Sequence, residues 1–197
     1  MTAVIVAIAL ATGLAQPDSA LAAPRDGSAL LSLPWTQGTA WRLTGGPHSD
    51  SGTTARPWSA IDFQPMDGRP GKVRAARGGW VVRPCRNLVV LRHADGWSTS
   101  YYHLKGIAVD SGRWAARGQL LGYTSTAAGC GGYATGPHLH FSLMRGKSYV
   151  NIRDHVIGGW AVRDGKTQYV GCLVKNKDYR CAMKSGAIFN DGSIGAR

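Results

Sequence analysis

The sequence predicts a mainly β fold of antiparallel meanders with few or no helices. Three observations carry this. Apolar residues recur in short runs of strand length, and no segment sustains the 3.6-residue period of an amphipathic helix. Glycine-rich punctuation separates the runs, and the chain holds 27 Gly. Charged residues make up only 17% of the chain, far from the content of a coiled coil or long helical bundle. Hydrophobic residues at 44% can bury a core, which excludes a disordered chain.

Residues 2–15 are apolar and uncharged, too short to cross a bilayer, which takes about 20 residues. Ala20-Leu21-Ala22 follows as an Ala-x-Ala cleavage pattern. Residues 1–22 therefore read as a secretory signal peptide, and residues 23–197 as a single domain. Cleavage removes Asp18 alone among charged residues, so the net charge rises from +12 to +13. Residues 24–47 are a poorly periodic lead-in with one apolar patch, Leu30 to Trp35. Ser59 to Phe63, Trp80 to Arg83 and Leu88 to His93 read as strands. Ala94-Asp95-Gly96 is a hairpin turn signal, and Trp97 to Leu104 is the returning strand. Gln119 to Tyr123 is another, and Leu139 to Met144 follows the breaker pair Gly136-Pro137. Residues 150–197 read as a tail packed on the same domain.

The four cysteines are Cys85, Cys130, Cys172 and Cys181. Four cysteines fit export and allow three pairings. Spacing favours a short Cys172–Cys181 clip and a long Cys85–Cys130 staple. A Cys-based zinc site is disfavoured because no Cys-x-x-Cys pair exists. The basic balance suits a polyanionic partner, either nucleic acid or a bacterial wall with its phosphates and carboxylates.

Six histidines are present. His138 and His140 stand two apart on a strand, so they share a face about 6.6 Å apart. Such a pair is a metal half-site, or one ligand beside one general base. His103 ends the strand from Trp97 and, by alternation, shares a face with Tyr101 and Thr99. Asp62 sits between Ile61 and Phe63, where an unpaired charge is costly; a metal or an arginine would each answer that. His48 lies in a loop after Gly45-Gly46-Pro47. Asp50 is an alternative oxygen ligand, ranked lower because Ser49 and Ser51 suggest a solvated loop.

Taken together, Gly-Pro-His48, Ala-Ile-Asp62-Phe, Tyr-Tyr-His103-Leu and Thr-Gly-Pro-His138-Leu-His140-Phe resemble the lysostaphin-like zinc peptidases. The resemblance is to their β-lytic and staphylolytic branch and covers about residues 30–185. Asp62 lies 14 positions after His48, a longer loop that fits this branch, as do the two cysteine pairs. The resemblance implies an antiparallel β-sheet groove walled by loops. It implies one zinc ion held by His48, Asp62 and His140, with His103 and His138 in the outer shell and Tyr169 assisting. Tyr149 and Tyr102 are alternatives to Tyr169. His93 and His155 match none of the family's positions and read as structural or surface residues. Three N and O ligands leave a fourth zinc position for water, and zinc lowers that water's pKa toward about 7. The implied protein is a secreted zinc metalloendopeptidase that cuts glycine-containing cross-bridges of bacterial peptidoglycan. Its implied partners are peptidoglycan peptides and anionic wall polymers, with no nucleic acid, no stable membrane anchor and a monomeric state. The rival reading is a non-catalytic, basic protein on the same fold that binds the wall or another polyanion.

Overall fold

The computed structural model describes residues 30–50 and 53–194; the signal-peptide segment lies outside them. Every regular element among the described residues is a strand. In chain order these are β1 (Ala40–His48), β2 (Ala60–Pro65), β3 (Lys72–Arg74), β4 (Gly79–Val82), β5 (Val89–Arg92), β6 (Trp97–Tyr102), β7 (Leu104–Lys105) and β8 (Trp114–Ala115). There follow β9 (Leu120–Thr124), β10 (Leu139–Arg145), β11 (Ser148–Tyr149), β12 (Val156–Ile157), β13 (Trp160–Asp164), β14 (Gly171–Lys175), β15 (Asp178–Cys181) and β16 (Ile188–Phe189). The main sheet has the order β16-β1-β2-β10-β6-β5-β4-β8, with β11 on β10. A second sheet is β12-β13-β14-β15, and a third is β3-β9-β7. The expected disulfides Cys85–Cys130 and Cys172–Cys181 both form.

Alternation decides which side chains the main sheet buries. Ile61 and Phe63 of β2, Phe141 and Leu143 of β10, and Tyr101 of β6 point to one face and are fully buried. Trp35 lies stacked on Trp41, with ring centroids 5.2 Å apart, and Phe63 meets Trp35 edge-on. Each such side chain contributes about 1.5–3 kcal/mol by leaving water. The opposite face carries Asp62, His140, Tyr102, Ser100 and Ser142, so the hydrophobic alternation that builds the core also fixes the direction of the polar residues.

Three expectations need correction. His48 is the last residue of β1 and not a loop residue. The lead-in hid this strand because Gly45-Gly46-Pro47 gives no β-like alternation. The strand accommodates them with register shifts at Leu43/Gly45 and Gly45/His48. Residues 150–197 are no simple tail either, since they build the second sheet and supply β16 to the edge of the first. That second sheet docks at Gly46, whose N–H donates to the Tyr169 carbonyl at 2.9 Å, while the Tyr169 N–H donates to Pro47 at 3.2 Å. A Cβ at Gly46 would lie 2.6 Å from the Gly171 nitrogen and from the Val170 carbonyl carbon, so only glycine permits this approach. Finally, His103 does not follow Tyr101 into the core. Its φ of +60° breaks the alternation and lays its ring on that of Tyr102, 4.2 Å between centroids.

Candidate metal centre

Three neighbouring strands each deliver one donor atom to the polar face. His140 of β10 lies opposite Asp62 of β2, and Asp62 lies opposite Gly45 of β1. A Cβ at Gly45 would come within 2.5 Å of Asp62 Oδ2, so this glycine leaves the carboxylate its space. His48 Nε2 is 3.1 Å from His140 Nδ1 and 3.6 Å from Asp62 Oδ1. His140 Nδ1 is 3.1 Å from the same Oδ1. Ligands about 2.05 Å from a tetrahedral ion stand about 3.3 Å apart. The separations are therefore those of three corners of one small coordination site, with two imidazoles and a carboxylate as donors.

Backbone carbonyls set the tautomers. A carbonyl only accepts, so the ring nitrogen facing it carries the proton. Gly46 O faces His48 Nδ1 at 2.8 Å, Ala127 O faces His103 Nδ1 at 2.9 Å, and Gly136 O faces His138 Nδ1 at 2.9 Å. His48 and His103 thus keep the Nε2 lone pair for the groove, and His138 turns its Nε2 the same way. His140 is reversed: its Nδ1 faces Asp62, and its Nε2 faces Asp50 Oδ1 at 3.4 Å. Asp50 therefore stands behind His140, not among the converging atoms, and the Tyr149 hydroxyl reaches the same carboxylate.

The electrostatics follow from burial and from these pairs. Burial acts to raise Asp62, but His140 and the other imidazoles hold its carboxyl below the usual range. Burial acts to lower His140, but its hydrogen bonds to Asp50 and Asp62 bring its pKa up to about 10. Burial lowers His48 and pushes His103 down to about 4. His103 is therefore neutral at neutral pH, with a lone pair to accept a proton. Its ring centroid is 4.7 Å from that of His138, whose Nε2 lies 3.7 Å from Asp62 Oδ1.

The tyrosines separate by their commitments. Tyr169 stacks on His48, centroids 4.1 Å apart and nearly parallel at 21°, and its hydroxyl makes no hydrogen bond among the described residues. Its φ of +64° goes with the backbone clasp to Gly46 and Pro47. The Tyr102 hydroxyl is engaged with Gly131 O at 2.7 Å and the Cys130 N–H at 2.9 Å, which ties down a wall loop. Tyr149 faces Asp50. The groove has a volume of about 1010 Å³, with residues 130–136 on one wall and Tyr169 and Met183 on another.

His93 and His155 lie away from this cluster. His155 meets Trp97 edge-on. His93 is buried beside a chain of hydrogen bonds: the Ala76 N–H and the Thr99 hydroxyl donate to Tyr101 Oη at 2.8 Å and 3.0 Å, and Thr99 Oγ1 lies 3.1 Å from His93 Nε2. His93 Nδ1–H then donates to Gly78 O at 2.8 Å. Burial holds the pKa of His93 down at about 4, so the ring is neutral at neutral pH. Sequence reasoning missed the parts played by Asp50 and Tyr102; neither carries a spacing signal, since each acts through a loop that folds back.

Residues 56–152 match the model of peptidase family M23. The chain belongs to peptidase family M23. It is 36% identical over 162 residues to protease LasA of Pseudomonas aeruginosa, an alignment covering 78% of this chain and 38% of LasA. It is 29% identical over 165 residues to the beta-lytic metalloendopeptidase of Lysobacter enzymogenes, covering 77% of this chain and 92% of that protein. The solved structure of pseudoalterin, described as a novel M23 metalloprotease from the deep sea, superposes with a TM-score of 0.74 at 29% identity. That match covers 82% of this chain and 98% of pseudoalterin. The chain thus spans 38% of the length of the LasA proteases it matches. M23 membership implies a bound metal, and His48, Asp62 and His140 form a group with the donors to hold one.

Proposed function

We propose that this chain is a secreted zinc metalloendopeptidase that hydrolyses peptide bonds of bacterial peptidoglycan, at glycine-containing cross-bridges. The observation that carries this is the convergence of His48 Nε2, Asp62 Oδ1 and His140 Nδ1 at 3.1–3.6 Å from one another. Two nitrogens and one oxygen are the donor set of a catalytic zinc site. The ion, when bound, supplies an acidified water and a Lewis acid for the scissile carbonyl.

The remaining steps fall to this chain's side chains. His103, kept neutral by burial, is suited to take a proton from the attacking water and return it to the leaving amine. Tyr169, whose hydroxyl is uncommitted, is suited to steady the oxyanion by hydrogen bonding, and His138 flanks the same space and does so when its Nε2 carries a proton as well. The His138 Nδ1–H anchor on Gly136 and the Tyr169 clasp on Gly46 fix both before substrate arrives. A groove floored by strands favours glycine on either side of the bond, because glycine brings no side chain against the floor. Both disulfides fit an oxidising compartment outside the cell, and the basic charge suits an anionic wall.

The test is digestion of purified peptidoglycans of several bridge types, with new amino termini identified by mass spectrometry. New termini at bridge glycines, abolished by chelation and restored by one equivalent of zinc, are expected. Adsorption to the wall without any new terminus would replace this reading with that of a non-catalytic binder.

A further inference from the structure

The row of side chains that includes the metal face does not stop at the groove. Four residues along β10 from His140, Met144 pairs with Ser98, Ser98 with Arg92, Arg92 with Trp80, and Trp80 with Trp114. Cross-strand partners share a face, so Trp80, Trp114 and Arg92 lie on the same side of the sheet as His140. Strand rise and spacing place them about 20 Å from it: about 13 Å along the strands and three spacings of about 4.8 Å across.

Two tryptophans at a sheet edge are expected to hide from water. Here Trp80 is 55% and Trp114 is 48% exposed, while they pack edge-to-face with centroids 5.7 Å apart. Neither indole N–H, nor the guanidinium of Arg92, makes a hydrogen bond or ion pair among the described residues. The patch therefore offers flat apolar surface, two uncommitted N–H donors and the unpaired positive charge of Arg92. Exposed aromatic surface of this kind marks a binding site, and Trp with Arg is the composition of interface anchors.

We propose that the Trp80–Trp114 pair, with Arg92, is a second binding site that holds the glycan strand of the wall. Sugar rings present flat C–H faces to indole and hydroxyls to its N–H, and wall carboxylates complement the Arg92 guanidinium. The proposal rests on the peptidase reading, because a peptide held in the groove keeps its glycan on this same side of the sheet. A second contact about 20 Å away would then raise the effective concentration of the next cross-bridge.

The experiment compares wild type with Trp80→Ala/Trp114→Ala, Trp80→Phe/Trp114→Phe and Arg92→Gln. It measures co-sedimentation with insoluble peptidoglycan freed of phosphate polymers, and cleavage of a short soluble glycine peptide. Soluble glycan fragments released by a muramidase should quench indole fluorescence in the wild type. The double Ala variant should bind the insoluble wall about 10-fold more weakly or worse, with peptide cleavage within about twofold of wild type. The Phe variant should recover most of the binding, and the Gln variant should bind more weakly and with a flatter salt dependence. Unchanged sedimentation of the Ala variant, with its thermal midpoint intact, overturns the site. So does binding seen only with phosphate polymers or with anionic vesicles. A wild type that cleaves no peptide but still loses wall binding with the two indoles would overturn the peptidase reading and leave this site standing.

Discussion

His140 is the imidazole with a carboxylate on both sides, and its reversal says what Asp50 is for. Asp50 accepts from Nε2–H and so keeps Nδ1 turned to the metal position; partners of this kind typically matter 10–100-fold in metal affinity. His48→Ala, Asp62→Ala and His140→Ala should each lose most bound zinc and the activity with it. Asp50→Ala should keep a stoichiometric site but yield zinc to a competing chelator about 10–100-fold more readily; equal competition would deny it that role. His103→Ala and His138→Ala should retain zinc and lose about 10²–10⁴ in rate. Metal loss in His138→Ala would exchange the roles of the two histidines of the pair. His93 gives a different kind of prediction. Burial pushes its pKa down to about 4, against about 6.5 in an unfolded chain. Between those values the unfolded state takes up the proton first, so stability is full above pH 6.5 and falls as pH drops toward 4. The loss is about 3 kcal/mol. Urea titrations from pH 7.5 to 4 should show that slope in the wild type and a shallower one in His93→Asn.

At the level of elements, the joint between β1 and the loop before β14 holds Tyr169 over His48. Gly46→Ala would push a methyl into backbone atoms of Val170 and Gly171 that cannot step aside. A lower thermal midpoint together with lost activity is expected, whereas Gly38→Ala, strained by its φ of +81° but with nothing within 4 Å, should lower the midpoint and leave activity intact. The Cys85–Cys130 bridge plays a comparable part on the opposite wall, since Cys130 belongs to the loop that Tyr102 and Asn87 tie down. Loss of that bridge should cost about 4 kcal/mol and loss of Cys172–Cys181 about 3 kcal/mol by loop entropy. Denaturant titration of each Cys→Ser pair checks the order. These joints also mark what the sequence could disclose. β2, β6 and β10 were legible because a buried face writes itself as alternation, and the ligands on them came with the strands. β1 was not, because glycine and proline carry no face. The turn of His103 toward the groove was not, because a single left-handed residue reverses a side chain without any pattern. Asp50 was visible as a candidate oxygen, but its side of His140 depends on how the 48–60 connection returns.

For the molecule as a whole, charge and chemistry should come apart under salt. If the basic charge holds the secreted chain on an anionic wall, as proposed, that attraction acts across solvent, whose Debye length falls from about 10 Å at 0.1 M to about 3 Å at 1 M. Adsorption should therefore decline over that range while cleavage of a short neutral glycine peptide holds. Chelation should do the reverse, and a protein that responds alike in both assays to both treatments would contradict the division. The three donor atoms that converge on one point come from residues 48, 62 and 140, on three strands that become neighbours only when the main sheet closes. An unfolded chain holds those donors apart, so it cannot compete for the ion, and ligation becomes a measure of folding itself. Zinc at a thousand times its dissociation constant would then add about 4 kcal/mol to the folded state. That sum would make the ion as strong a fastener as a disulfide, and one that a wall rich in competing carboxylates could loosen.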